Sequence, residues 1–160
     1  METEKLKVKL ELYSTFWDKK PKIEVCIDNE SKYKNEVTGT EHKPDIIEFT
    51  HEFTHDKKYK LRLIRSNKGK NQTVLNKKGE IEKDQLIHIK YIEIDEIDIG
   101  ALVYAGVYTP EYPEPWYSQQ QAKKLTPPKS LTNVTAMGHN GAWELEFKSP
   151  FYMWLLENLY

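Results

Sequence analysis

The stretch from Asp84 to Ile99, DQLIHIKYIEIDEIDI, is the longest run of strong strand formers in the chain. Ile87, Ile89 and Tyr91 share one phase of a period-2 pattern, and Ile92 and Ile94 take the other. Ile97 and Ile99 shift the phase again after Asp95-Glu96. Side chains of a β-strand alternate between faces, so a break in phase means a bulge, a corner or burial on both faces. The stretch reads as a central strand that crosses a sheet, bends, and leads into Gly100.

Shorter alternating runs surround it. Leu6, Val8, Leu10 and Leu12 point inward from KLKVKLEL; Ile23, Val25 and Ile27 form a second run. Asp28-Asn29-Glu30-Ser31 is a turn cluster, followed by a short return strand over Tyr33–Val37. Ile47–Phe53 and Tyr59–Leu63 alternate as well, and Ser66–Gly79 reads as a polar loop. After Gly100, a strand is expected over Ala101–Tyr108. Thr109–Trp116 carries Pro110, Pro113 and Pro115, which bars it from a sheet interior. Tyr117–Leu125 is a modest helical candidate ended by Pro127-Pro128. Leu131–Ala136 and Trp143–Phe147 read as strands of a hairpin joined through Asn140-Gly141.

These runs predict an all-β chain, a β-sandwich or jelly-roll of about eight to ten short antiparallel strands. With 160 residues, a single domain is expected. Residues 1–100 would make the main sandwich, and 101–160 a Pro-rich loop, a hairpin and an apolar C-terminal arm. That arm, PFYMWLLENLY, holds Phe151, Tyr152, Trp154 and Tyr160. So dense an apolar segment either completes the domain's own core or inserts into a neighbour, as swapped arms do in symmetric assemblies.

Charge is nearly balanced, with 24 Lys and Arg against 25 Asp and Glu, so no global positive field draws the chain to nucleic acid or anionic lipid. No run approaches the length of a membrane helix, and METEKLKVK does not resemble a secretory signal. The single cysteine, Cys26, excludes an intramolecular disulfide and reads as a small half-buried thiol.

Candidate chemistry is sparse. Glu93, Asp95, Glu96 and Asp98 could supply oxygens to calcium, or could simply be the wet face of a strand. His51 and His55 would sit about 13 Å apart on a strand, too far to share zinc. The sequence contains no nucleophile elbow, phosphate loop or dinucleotide motif, and a non-enzymatic protein is expected. The loop aromatics Phe16, Trp17, Tyr108, Tyr112, Trp116 and Tyr117 are the stronger signal, because such rings stack on sugars or anchor protein interfaces unless they cover the sandwich ends.

Two resemblances follow. Over Lys5–Ile99, the segments VCIDN, YKLRL and DQLIHIKYIEI resemble the calcium-dependent carbohydrate-binding modules that bind xylan, small β-sandwiches with a similar Y-I-E-I ending to their last strand. That resemblance implies a glycan partner and a calcium ion held by loop carboxylates, and it carries over to Asp84. Asp84, carried over from the resemblance, joins Asp95 and Asp98 of the acidic run as the candidate calcium ligands. In the later half, IEIDEIDIG, YTPEYPEPWYSQQ, MGHNGAWELEF and SPFYMWLLENLY are similar in style to small structural proteins of contractile-tailed bacteriophages. That resemblance implies a virion component, made in the host cytoplasm, in tail, baseplate, neck or capsid surface. It would contact copies of itself and other virion proteins through Tyr112, Trp116, Tyr117, Phe151, Tyr152, Trp154 and Tyr160. The expectation is a non-enzymatic virion protein, with a glycan-binding module as the alternative.

Overall fold

The computed structural model describes residues 2–69 and 72–159; the expected contact residue Tyr160 lies outside the described residues. In chain order the strands are β1 (Thr3–Thr15), β2 (Lys22–Ile27), β3 (Glu30–Glu36), β4 (Asp45–Thr54), β5 (Lys58–Ser66), β6 (Val74–Leu75) and β7 (Ile81–Lys83). Then come β8 (Leu86–Ile94), β9 (Ile97–Asp98), a 3-10 helix (Gly100–Ala105), β10 (Val107–Pro110), α1 (Trp116–Ala122), β11 (Ala136–Met137), β12 (Gly141–Lys148) and α2 (Phe151–Leu159).

Two antiparallel sheets form the expected sandwich. One runs β11-β8-β1-β4 with β9 against β8; the other runs β10-β12-β5-β2-β3. A separate ribbon, β6-β7, stands apart from both. The core lies between the sheets, where Val8, Leu10, Leu12, Leu61, Leu63, Ile87 and Trp143 are fully buried. These are the inward phases of the alternating runs, so burial of apolar area selects the register of each strand.

The phase breaks in Asp84–Ile99 have separate causes. Glu11 pairs with Tyr91 and Leu12 with Ile89, so Lys90 is an extra residue, a β-bulge. It lets Ile87 and Ile89 point inward on one side of it and Ile92 and Ile94 on the other. At Asp95 and Glu96 the chain turns into β9 with two consecutive left-handed residues (φ 54° and 64°), the backbone of a tight primed hairpin turn.

The chain after Gly100 departs most from expectation. Ala101–Ala105 is a 3-10 turn rather than a strand, and sheet pairing begins only at Val107. Gly106 lies between them, flat against the Trp143 indole; a Cβ there would come within 2.2 Å of the ring. The expected hairpin through Asn140-Gly141 does not form. β11 joins β8 in one sheet, whereas β12 joins β5 and β10 in the other. Asn140-Gly141 is thus a crossover between sheets. Of the expected Leu131–Ala136 strand, Leu131 makes one bridge to Tyr108 and Ala136 opens β11.

The apolar C-terminus is a helix, not an extended arm. Phe151 and Leu155 are buried in the domain's own core, and Trp154 packs beside them. The Glu4 carboxylate accepts from the Ser149 hydroxyl at 2.5 Å and the Phe151 N–H at 2.7 Å, fastening the helix start to β1. This corrects the reading of Phe151 as a contact for another chain.

Candidate functional site

A concavity rich in polar and charged groups is lined in part by the exposed Trp116. The cleft has a volume of about 410 Å³. It is lined by Lys68, Thr73 and Asp84, by Leu75 and Ile81 of the β6-β7 ribbon, by Glu111, Pro113 and Trp116, and by Gly138–Asn140. Five separate loop or turn segments therefore converge on it.

Asp84 is placed by the residue after it. Gln85 is fully buried. Its amide donates to the Lys19 carbonyl at 2.7 Å, the Gln72 side chain at 3.1 Å and the Asn67 carbonyl at 3.3 Å. Arg65, also buried, donates from Nη2 to the Gln85 carbonyl and side-chain oxygen at 2.6 and 2.7 Å. One glutamine thus ties three loop segments to the start of β8. Burial pulls the Arg65 guanidinium down to about 10, with the neighbouring Tyr108 and Asp84 acting the other way. Its Nε and Nη1 have no hydrogen-bond partner among the described residues, a costly arrangement for buried donors.

Asp84 Oδ1 accepts from the Thr73 hydroxyl at 2.7 Å and the Gln85 N–H at 2.8 Å, and the Lys68 ammonium lies 3.0 Å away. Burial alone would raise this carboxyl; the three donors hold it below its ordinary value. Burial also pulls Lys68 down, opposed by Asp84. The two shifts speak oppositely about the pair. The contact distance and the three donors on one carboxylate favour the ionised pair. Lys68 Nζ donates further to the Gly138 carbonyl. The Lys68 backbone is clamped by Asn140, whose Oδ1 accepts at 3.0 Å and whose Nδ2 donates at 3.2 Å.

The cleft residues Trp116 and His139 belong to an aromatic cluster whose other two rings, Tyr112 and Tyr117, lie outside the cleft lining. The Tyr112 ring has His139 at 5.1 Å, Trp116 at 5.5 Å and Tyr117 at 5.7 Å between centroids. Trp116 is 37% exposed. Burial lowers the His139 pKa, and Lys68 adds to that effect, so the imidazole in this cluster is neutral at pH 7. Its backbone is held by the Tyr108 phenol, which donates to the His139 carbonyl and accepts the His139 N–H at 2.9 Å. Desolvation of that phenol raises it to about 12, so it stays protonated.

Of the sequence-proposed residues, the structure brings Tyr112, Trp116 and Tyr117 together and places Trp116 and Asp84 in the lining of one cleft. It does not bring the three aspartates together. Asp84 precedes β8 and Asp95 follows it, and nine strand residues span about 30 Å. No three His, Cys, Asp or Glu side chains converge as metal ligands among the described residues. Around Asp84 the donor set does not suit calcium, because the Lys68 ammonium already holds the cationic position. Asp98 instead accepts the Gly100 N–H at 2.8 Å. Lys68, Glu111, His139 and Asn140 were not singled out by the sequence. The Asn-Gly turn signal was the one pointer to that part of the lining.

No protein-family model matches the chain, and no curated protein matches it. Two solved structures are similar in fold. "vCBM60 in complex with galactobiose" superposes with a TM-score of 0.50 at 9% identity, covering 87% of this chain and 96% of that one. The selenomethionine form of vCBM60 superposes with a TM-score of 0.50 at 8% identity, covering 88% and 89%. It is described in work linking two families of calcium-dependent carbohydrate-binding modules by circular permutation. The fold is therefore a β-sandwich like that of carbohydrate-binding modules.

Proposed function

We propose that this chain is a non-catalytic glycan-binding module and that the cleft lined by Trp116 and Asp84 holds the sugar. The carrying observation is that cleft itself: an exposed indole and a hydrogen-bonded Lys68–Asp84 ion pair line one concavity. A sugar ring offers an apolar C–H face to stack on an indole and hydroxyls to exchange hydrogen bonds with a carboxylate and an ammonium. Binding sites of this kind combine an apolar lining with a few fixed polar groups. The shared fold with a module seen in complex with galactobiose supports the same reading. Because Lys68 neutralises Asp84, binding here needs no calcium.

The test is affinity electrophoresis through gels containing β-1,4-galactan or xylan, with and without EDTA. Retardation that survives EDTA and is abolished by Trp116→Ala supports the module. Migration unaffected by any polysaccharide would sink it.

A second reading, contact with another protein chain, has one observation behind it. Tyr152, Met153 and Leu156 leave an apolar face of α2 open, at 61%, 59% and 46% exposure. The structural neighbours are carbohydrate-binding modules and lend nothing to a virion role.

A further inference from the structure

The segment that carries Trp116 has a second side. Thr109, Pro110, Tyr112, Tyr117, Pro127 and Lys129 line a shallower, more open groove, also of about 410 Å³. Its lining interleaves in sequence with that of the cleft. Pro110 and Tyr112 face the groove while Glu111 and Pro113 face the cleft; Trp116 faces the cleft while Tyr117 faces the groove. One short segment therefore forms a ridge with an aromatic surface on each flank.

The ridge is fixed on both sides. Glu111 N–H donates to the Asn140 carbonyl at 2.6 Å, on the cleft side. The Tyr112 hydroxyl donates to the Pro128 carbonyl at 2.5 Å, on the groove side. Tyr117 N–H donates to the Pro113 carbonyl at 2.9 Å, closing the loop into α1. Prolines at 110, 113, 115, 127 and 128 restrict the backbone further. A preformed surface loses little freedom when a ligand lies across it.

Resting on the glycan reading, we infer that the groove is a second sugar subsite and that the ligand is a chain segment that crosses the ridge, not a terminal sugar alone. The Tyr117 ring supplies a stacking face and the Lys129 ammonium a donor for hydroxyls. The cleft and groove bind successive parts of one polysaccharide strand, so affinity grows with chain length through contacts on the groove side. The substrate class is then an oligosaccharide or the interior of a polysaccharide.

The experiment compares di- and hexasaccharides of β-1,4-galactan and of xylan by isothermal titration calorimetry. Wild type, Tyr117→Ala and Lys129→Ala are used, with circular dichroism to confirm that each is folded. Tyr117 lies on α1, which buries none of its residues, and Lys129 is exposed, so the variants test contact rather than folding. The expected result is a hexasaccharide bound at least tenfold more tightly than its disaccharide by wild type. Tyr117→Ala should erase most of that ratio, and Lys129→Ala should reduce it while leaving disaccharide affinity unchanged. Equal affinity for the two lengths, or a ratio that survives Tyr117→Ala, overturns the subsite while leaving the cleft intact. If neither series binds wild type, the subsite and the glycan reading fall together.

Discussion

Two aromatic clusters sit in different parts of this molecule, and their ring geometries are much alike. At the C-terminal helix, Phe53, Tyr59, Phe147, Phe151 and Trp154 meet at 4.8–6.3 Å between centroids. At the cleft, Tyr112, Trp116, Tyr117 and His139 meet at 5.1–5.9 Å. What separates them is water. The first is built from inward strand positions and the buried side of a helix, and its phenylalanines are at most 1% exposed. The second is built from a proline-rich loop, a helix with no buried residue and the segment between β11 and β12 that carries His139. Close ring packing therefore does not distinguish core from site. The backbone that presents the rings does, because a strand face has another sheet to cover it and a proline loop does not.

The largest effect that would sharpen this contrast is expected at Phe147. Phe147→Ala empties a space bounded by four other rings and should cost about 3–5 kcal/mol in urea unfolding. A loss under about 1 kcal/mol would mean that this cluster is not a core. Trp116→Ala should do the reverse. Stability should stay within about 0.5 kcal/mol, while glycan affinity falls by about 2 kcal/mol or more, as removal of a central aromatic anchor does. If Trp116→Ala instead unfolds the protein, the two clusters are of one kind and the contrast breaks.

Asp84 gives an intermediate effect. Asp84→Asn removes the charge that collects three donors and should destabilise by about 1–3 kcal/mol at pH 7. The carboxyl is held below its unfolded value, so its contribution is present above about pH 4 and is lost as pH falls through the folded pKa. The gap between wild type and Asp84→Asn in urea titrations should close only at the acid end of that window. His51, His88 and His139 act earlier. Burial lowers each, so the unfolded chain protonates first, and stability should decline below about pH 6.5. A melting temperature flat from pH 7 to 5 would contradict that burial.

The strand skeleton was legible because burial on one face writes a period of two into the sequence. β1, β2, β4, β5 and β12 follow that pattern, and the bulge at Lys90 shows as a break in it. The crossover at Asn140-Gly141 was not legible, because a turn signal says that the chain reverses and not which sheet receives it. The helix at Phe151–Leu159 was hidden by its apolar density, which suits a buried helix, a strand or an arm alike. In the site, the exposed aromatics were readable from their prolines. Lys68, Glu111, His139 and Asn140 were not, because they meet through loops that tertiary pairing alone positions. The three candidate calcium ligands do not group among the described residues, for a related reason. Asp84, Asp95 and Asp98 are near in sequence, but the nine residues of β8 stand between the first and the other two.

The smallest effect concerns the outer face of α2. Its inner residues Phe151 and Leu155 are committed to the core, so the contrast between core and surface runs across a single helix. Tyr152→Ser with Met153→Ser touches only the open side and should change unfolding free energy by about 0.5 kcal/mol or less. If that face binds no second chain, light scattering will give one molar mass for wild type and variant. If wild type self-associates and the double variant is monomeric, the face is an interface. The helix would then serve two neighbours at once: its own sandwich through Phe151 and Leu155, and a second copy through Tyr152 and Met153. Because the inner face stays packed in both cases, a folded monomeric variant isolates association from folding, which truncating the helix could not do.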